Sequence, residues 1–327
     1  MPNFWNTLKR PFTVLAPMDD VTDFVFREIV CLLAKPDVLF TEFTSSDSLF
    51  SRGRERVLRK LKYSETQRPI VAQIWGSTPE YFYKAAKDIR ELGFDGIDIN
   101  MGCPDRGVTK KKAGSYLITD KILAGELIYA LKEGAGDMAV SVKTRLSPDE
   151  TPSEEWFSFL LNQNIDGLII HGRTARANSK GNANWAEIAG AVKLRDLLSP
   201  QTVVVGNGDV KSYSEVLDKH KTFGVDGVMI GRGIFSDPWI FDKNLNPAKH
   251  TVSNHLDILL QHTKLYVETW ENEKNFEVMK KFFKMYINNF KGADKLRQSL
   301  MSAKNFEQVE TIIKSFLESK AHPISAE

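Results

Sequence analysis

Cysteine is nearly absent. Two residues in 327, Cys31 and Cys103, cannot build a disulfide framework, which agrees with a reducing compartment. With only six histidines besides, no metal-ligand spacing appears, and no metal site is expected. No apolar run approaches the roughly 18 residues that a membrane span needs. The first ten residues mix aromatic and charged side chains, with no apolar core leading to a small-residue cleavage site. A cytoplasmic protein without membrane contact is the expectation. Excess charge is missing too: a net charge of +2 does not by itself imply a polyanionic partner. What remains is 42% hydrophobic and 26% charged, enough chain for one large domain and a smaller one.

Eight short, continuous apolar runs recur along the first 230 residues: Phe12–Ala16, Asp37–Glu42, Pro69–Ile74, Gly96–Asn100, Met138–Lys143, Gly167–His171, Thr202–Gly206 and Gly227–Gly231. Unbroken apolar runs of this length are expected of parallel strands buried on both faces. Amphipathic stretches lie between them, among them Pro79–Leu92, Asp120–Lys132 and Ser212–Lys219. Three runs open on the same phrase, Asp95-Gly96, Asp166-Gly167 and Asp226-Gly227, a faint echo of a repeated βα unit. The pattern predicts an α/β protein with a (β/α)₈ TIM barrel, its open-sheet competitor being a doubly wound fold. A polar break at Lys243–Pro247 precedes purely helical periodicity over His255–Trp270, Asn275–Asn289, Ala293–Ala303 and Phe306–Ser319. The expected organisation is a barrel over residues 1–243 and a small all-helical C-terminal domain over 244–327.

A barrel's active site lies at the carboxyl ends of its strands. Those ends carry Pro17-Met18-Asp19, Gln73, Asn100 with Cys103, Lys143 with Arg145, His171, Asn207-Gly208-Asp209 and Gly231-Arg232. The glycines after strands seven and eight suit close approach of a phosphate to backbone N–H groups, each exit leading into a helix. Lys143, costly to bury without an anion, fits either a Schiff-base nucleophile or a charge opposite a reduced flavin. Arg145, two residues on, could serve a phosphate or a substrate. His171 could act as a base, as a neutral hydrogen-bond donor, or only structurally. Cys103 stands between Gly102 and Pro104, in a loop where exposure is expected, and proton donation needs no thiolate-forming partner. Cys31, inside an apolar helical stretch, reads as packing.

Asn100-Met101-Gly102-Cys103-Pro104, then Val108 and Lys112-Ala113-Gly114-Ser115, resembles the signature of the tRNA-dihydrouridine synthases. Ala16-Pro17-Met18, Gln73, Val142–Arg145, Ile170–Thr174, Gly206–Asp209 and Gly231–Gly233 follow in that family's order and spacing, from about Val14 to Phe241. The resemblance implies an FMN-dependent oxidoreductase that reduces uridines of tRNA to 5,6-dihydrouridine with electrons from NADPH. Hydride from the flavin N5 would reach C6 of uracil while Cys103 gives a proton to C5. It implies that Pro17, Met18, Asp19, Gln73, Asn100, Lys143 and His171 lie at the flavin, and that Asn207, Gly208, Asp209, Gly231 and Arg232 hold its phosphate. No separate dinucleotide fingerprint is present, so NADPH would bind transiently in the same mouth.

The tail concentrates charge. Between Lys280 and Lys304 seven basic residues face one acid, Asp294, a net of +6. Clustered cations are what a phosphate backbone requires, and Arg106 with Lys110-Lys111-Lys112 extends the basic surface toward Cys103. Phe282, Phe283, Tyr286 and Phe290 sit among them at helical spacing and are expected in the core. A monomer docking tRNA through the tail is the expected state. The competing functions are an FMN barrel acting on a free pyrimidine, an aldolase using Lys143, and a tRNA-binding protein without catalysis.

Overall fold

The computed structural model describes residues 3–148, 152–244 and 251–321. Eight parallel strands form the barrel: β1 (Phe12–Leu15), β2 (Val38–Phe40), β3 (Ile70–Trp75), β4 (Gly96–Met101), β5 (Ala139–Leu146), β6 (Gly167–Thr174), β7 (Val203–Asn207) and β8 (Gly227–Ile230). A two-residue strand, Thr44–Ser45, adds a short pairing to the end of β3. Each strand pairs with the next, and β1 pairs with both β2 and β8, so the ring closes. Closure excludes the doubly wound alternative, whose sheet must have two free edges.

The Asp-Gly echo has a structural cause. Asp95, Asp166 and Asp226 each stand at the entry of an even-numbered strand. Each accepts a hydrogen bond from a backbone N–H of the strand before it: Ile70 at 2.8 Å, Val140 at 2.7 Å and Val204 at 2.8 Å. Asp37, ahead of β2, does the same for Thr13 at 2.8 Å. These carboxylates pin the stagger at the barrel floor. The adjoining glycines make room for the aromatic plug beneath: a Cβ on Gly227 would lie 2.3 Å from the Phe12 ring, and one on Gly167 3.4 Å from Trp5. Trp5, on the 3₁₀ turn Phe4–Thr7, fills the floor against Phe12 and Phe40.

After the barrel come helices Val252–Trp270, Lys280–Tyr286, Ala293–Met301 and Phe306–Ala321, near the predicted spans. The break expected over Lys243–Pro247 lies outside the described residues from position 245 on. Helix Lys280–Tyr286 is shorter than the predicted Asn275–Asn289, because Phe276–Met279 winds as 3₁₀ and the chain turns at Ile287. The tail packs on barrel helix Phe24–Ala34, with Phe26 stacked on Phe282 at 5.3 Å, and Lys274 pairs with Asp23 at 2.7 Å. Phe282, Phe283 and Tyr286 are buried, as their spacing predicts; Phe290 is half-buried. Among the described residues no helix is long and apolar enough to cross a membrane.

Candidate active site

Strand alternation decides which side chains enter the barrel. Gln73, Asp98 and Ser141 occupy one register row across β3, β4 and β5, and all three are buried. They form a single chain: Ser141 Oγ donates to Asp98 Oδ1 at 2.7 Å, and Gln73 Nε2 donates to Asp98 Oδ2 at 2.7 Å. One step up, Asn100 Nδ2 donates to Gln73 Oε1 at 3.0 Å, while Asn100 Oδ1 accepts the amides of Gly102 at 3.1 Å and Cys103 at 2.9 Å. The row therefore runs from the barrel interior to the cysteine loop. Burial pushes Asp98 up to about 7, against the pull of its two donors and of Lys143.

At the carboxyl ends of β1 and β5 to β8 opens a cavity of about 460 Å³, within the range of small-molecule sites; Gln73, Asn100 and Cys103 are not among its lining residues. Pro17, Met18, Lys143, His171, Asn207, Gly208, Asp209, Gly231 and Arg232 all line it. Lys143 is the register partner of Asn100. Its ammonium has no hydrogen bond or ion pair among the described residues, and burial with Arg145 nearby pulls it down to about 8. Lys143, Arg145, Arg173, Lys211 and Arg232 make five cations on the wall, against one carboxylate, Asp209. That carboxylate is already committed: Arg173 Nη2 reaches both its oxygens at 2.7 Å. Such a wall selects an anion.

His171 is buried among these cations. Burial first, then Lys143, Arg145, Arg173 and Arg232, pull it down to about 2, so the ring is neutral. Arg173 Nη1 lies 3.2 Å from His171 Nε2. A guanidinium has no acceptor, so Nε2 accepts and the proton sits on Nδ1. A neutral ring agrees with the hydrogen-bond donor among the roles open to His171.

Glycine shapes the far wall. Gly208 has φ of +134°, and a Cβ there would stand 2.5 Å from Ala183 Cβ. A Cβ on Gly231 would fill cavity space, 3.6 Å from Met18 Sδ. Asn207 Nδ2 is spent on Met229 O at 2.8 Å, tying β7 to β8. The exit of β7 leads into helix Tyr213–Phe223, as predicted. The exit of β8 does not reach a helix: it makes one 3₁₀ turn, Arg232–Phe235, and Pro238 disfavours helical backbone at Asp237.

Cys103 is half-buried rather than exposed, because Arg145 clamps its loop. Arg145 Nε donates to Gly102 O at 2.7 Å and Nη1 to Asn178 O at 2.7 Å. Burial raises the thiol above its usual range. Arg145 is thus committed to backbone oxygens. Cys31, by contrast, lies on helix Phe24–Ala34 against the core, and burial lifts it to about 11. Asp19 departs from expectation: its carboxylate is ion-paired with Lys60 and lines a separate groove. Asp98, Ser141 and Arg173 were not singled out from sequence. The alternation Gln73, Asp98, Ser141 across three strands, each a polar residue within an apolar run, was the available signal.

The family model described as Dihydrouridine synthase (Dus) matches residues 14–321. The chain is 44% identical over 317 residues to "Probable tRNA-dihydrouridine synthase 2" of Bacillus subtilis (strain 168), covering 96% of each. It is 42% identical to "Probable tRNA-dihydrouridine synthase" of Staphylococcus aureus (strain MRSA252), covering 96% of this chain and 95% of that protein. A solved variant of NCR from Zymomonas mobilis superimposes with a TM-score of 0.51 at 14% identity, over 78% of this chain and 95% of that one; it bears on the fold alone.

Proposed function

This chain is a member of the dihydrouridine synthase family, an oxidoreductase, and from that premise we propose that it reduces specific uridines of tRNA to 5,6-dihydrouridine with FMN and NADPH. The cavity fits FMN on three counts. Its wall is cationic, an unpartnered lysine faces it, and Gly231 leaves room that a side chain would take. Pro17, Met18, Gln73, Asn100, Lys143 and His171 would lie at the ring. Asn207, Gly208, Asp209, Gly231 and Arg232 would hold the phosphate, with Asp209 acting through Arg173. FMN, when bound, supplies the hydride added at C6 of uracil, its electrons drawn from NADPH.

The chain's own residues handle the proton and the charge. Cys103 Sγ gives its proton to C5, and a thiol whose proton is held more tightly by burial is in the acid form at neutral pH. The C5=C6 double bond thereby gains two hydrogens, one from each source. Lys143, as a cation, offsets negative charge at the ring. Neutral His171 offers its Nδ1–H as a donor. The observation that carries this reading is the cationic cavity wall with its unpartnered Lys143, the register partner of the Asn100 whose side chain holds the Cys103 loop.

We further propose that residues 1–243 are the catalytic barrel, that 244–327 form the tRNA-binding domain, and that the enzyme works as a cytoplasmic monomer. Mapping dihydrouridine in tRNA from cells lacking the gene tests the function. Loss at particular positions, restored by the wild-type gene, is the expected result. Unchanged dihydrouridine, or turnover of free uracil by the purified protein at comparable efficiency, would reject it.

A further inference from the structure

The loop that gives Met18 to the main cavity gives Asp19 to a second groove of about 480 Å³. Phe43 and Trp75 line it, with Lys60 and Lys111, and Asp105 of the cysteine loop forms its other edge. Trp75 stands two residues after Gln73 on β3, on the same side of the strand by alternation, one step higher at the mouth. It is half-buried, with ring surface left to solvent. The groove therefore abuts the Cys103 loop at a point the proposed reaction does not use.

Its chemistry differs from that of the main cavity. Lys111 Nζ lies 5.4 Å from the Trp75 ring centroid, and Lys60 Nζ 5.9 Å from that of Phe43. The acids are engaged: Asp19 pairs with Lys60, and Asp105 Oδ1 accepts the amides of Gly107 at 2.7 Å and Val108 at 3.3 Å. Lys111 has no carboxylate partner among the described residues, and its side chain is exposed. An aromatic face beside an unpaired, flexible cation is the pairing that single-stranded nucleic acid uses, base on ring and phosphate on lysine.

We propose that this groove binds the nucleotide adjoining the reduced uridine, its base stacked on Trp75 and its phosphate met by Lys111. The inference rests on the tRNA reading above. A uridine turned out of a folded RNA to reach Cys103 carries its covalent neighbours across the rim of the mouth. On this side the rim offers a stacking platform. Lys111 can swing from the ring to the phosphate as the base takes its place. Stacking tolerates every base, so the groove holds the strand without selecting its sequence.

The test measures tRNA affinity for the oxidised FMN enzyme without NADPH, so that binding is read apart from turnover. Trp75→Ala should weaken binding about 10-fold, whereas Trp75→Phe, which keeps a ring, should stay within about 2-fold of wild type. Lys111→Ala should weaken binding and flatten its salt slope by about one. Flavin content of each variant reports that the barrel is folded. A 4-thiouridine placed beside the target uridine should crosslink to the peptide carrying Trp75. Unaltered affinity in flavin-replete Trp75→Ala would overturn the proposal. So would slowed flavin reduction by NADPH in that variant with tRNA affinity unchanged, since the groove would then serve the dinucleotide. Should wild type bind tRNA through Trp75 yet form no dihydrouridine, the groove stands and the proposed reaction falls.

Discussion

Asn100 Oδ1 accepts the backbone N–H of Cys103 at 2.9 Å, and through Nδ2 the same side chain donates to Gln73 at 3.0 Å. One carboxamide thus fixes both the Cys103 loop and the buried Gln73 side chain. Removing it leaves two loop amides without an acceptor, at a cost of about 1–3 kcal/mol for each that stays buried.

Asn100→Ala should therefore cut dihydrouridine formation by about 100-fold through misplacement of the thiol. Iodoacetamide should alkylate Cys103 faster in that variant, because a loosened loop exposes it. A variant with wild-type turnover and wild-type alkylation would show that the loop holds itself.

Cys103→Ala should retain flavin and accept electrons from NADPH, yet form dihydrouridine about 10²–10⁴-fold more slowly. Cys31→Ala should remain active, since its thiol only packs on the core. Rapid-mixing absorbance follows flavin reduction, and nucleoside analysis of tRNA follows the product. Near-normal product from Cys103→Ala would reject the acid role.

If Lys143 faces FMN as proposed, FMN affinity should depend on pH. Burial holds its ammonium down at about 8, and an anionic ligand is attracted only by the protonated form. As pH rises through about 8 the cation is lost and apoprotein affinity for FMN should fall; below that value it should be flat. Lys143→Met should bind more weakly and show no step in this window, while Lys143→Arg, charged throughout, should hold its affinity at higher pH. Titration by flavin fluorescence quenching checks all three. An identical pH step in Lys143→Met would assign it elsewhere.

Much of the fold was legible because its signals are local. Eight apolar runs sit within a few residues of the eight strands, and the Asp-Gly phrase marked strand entries. The carboxylate-to-neighbour hydrogen bond behind that phrase was not legible, since Asp95 and Ile70 meet only through the barrel's stagger. The site was legible where a residue stood at a strand end, as Lys143 and His171 do. Asp98 was hidden inside an apolar run, and its partners Gln73 and Ser141 lie 25 and 43 residues away. Charge was the least legible: sequence counts cations but not their partners, so Asp19 and Lys60 cancel where sequence shows only a free acid.

That distinction decides the last prediction, on tRNA docking. Six of the seven tail cations are the docking candidates from sequence: Lys280, Lys281, Lys284, Lys291, Lys295 and Arg297. Three are engaged. Lys280 pairs with Glu277 at 2.7 Å, Lys281 donates to Asp20 O, and Arg297 bridges Ile287 O and Asp294. Lys284, Lys291 and Lys295 are exposed, and their ammonium groups make no hydrogen bond or ion pair among the described residues. A free ammonium can displace counterions from a phosphate, whereas an engaged one must first break its own contact. Replacing Lys284 and Lys291 with alanine should weaken tRNA binding and flatten its salt slope by roughly one to two units. Lys281→Ala should act differently. Asp20 lies two residues beyond Met18, so releasing Lys281 loosens the loop at the cavity and should weaken FMN retention more than it changes the salt slope. Filter binding from low to high salt, with flavin content measured in parallel, separates the two effects. Equal salt slopes in wild type and the triple variant Lys284→Ala, Lys291→Ala, Lys295→Ala would remove the tail from the docking surface and leave the Arg106–Lys112 loop to supply it.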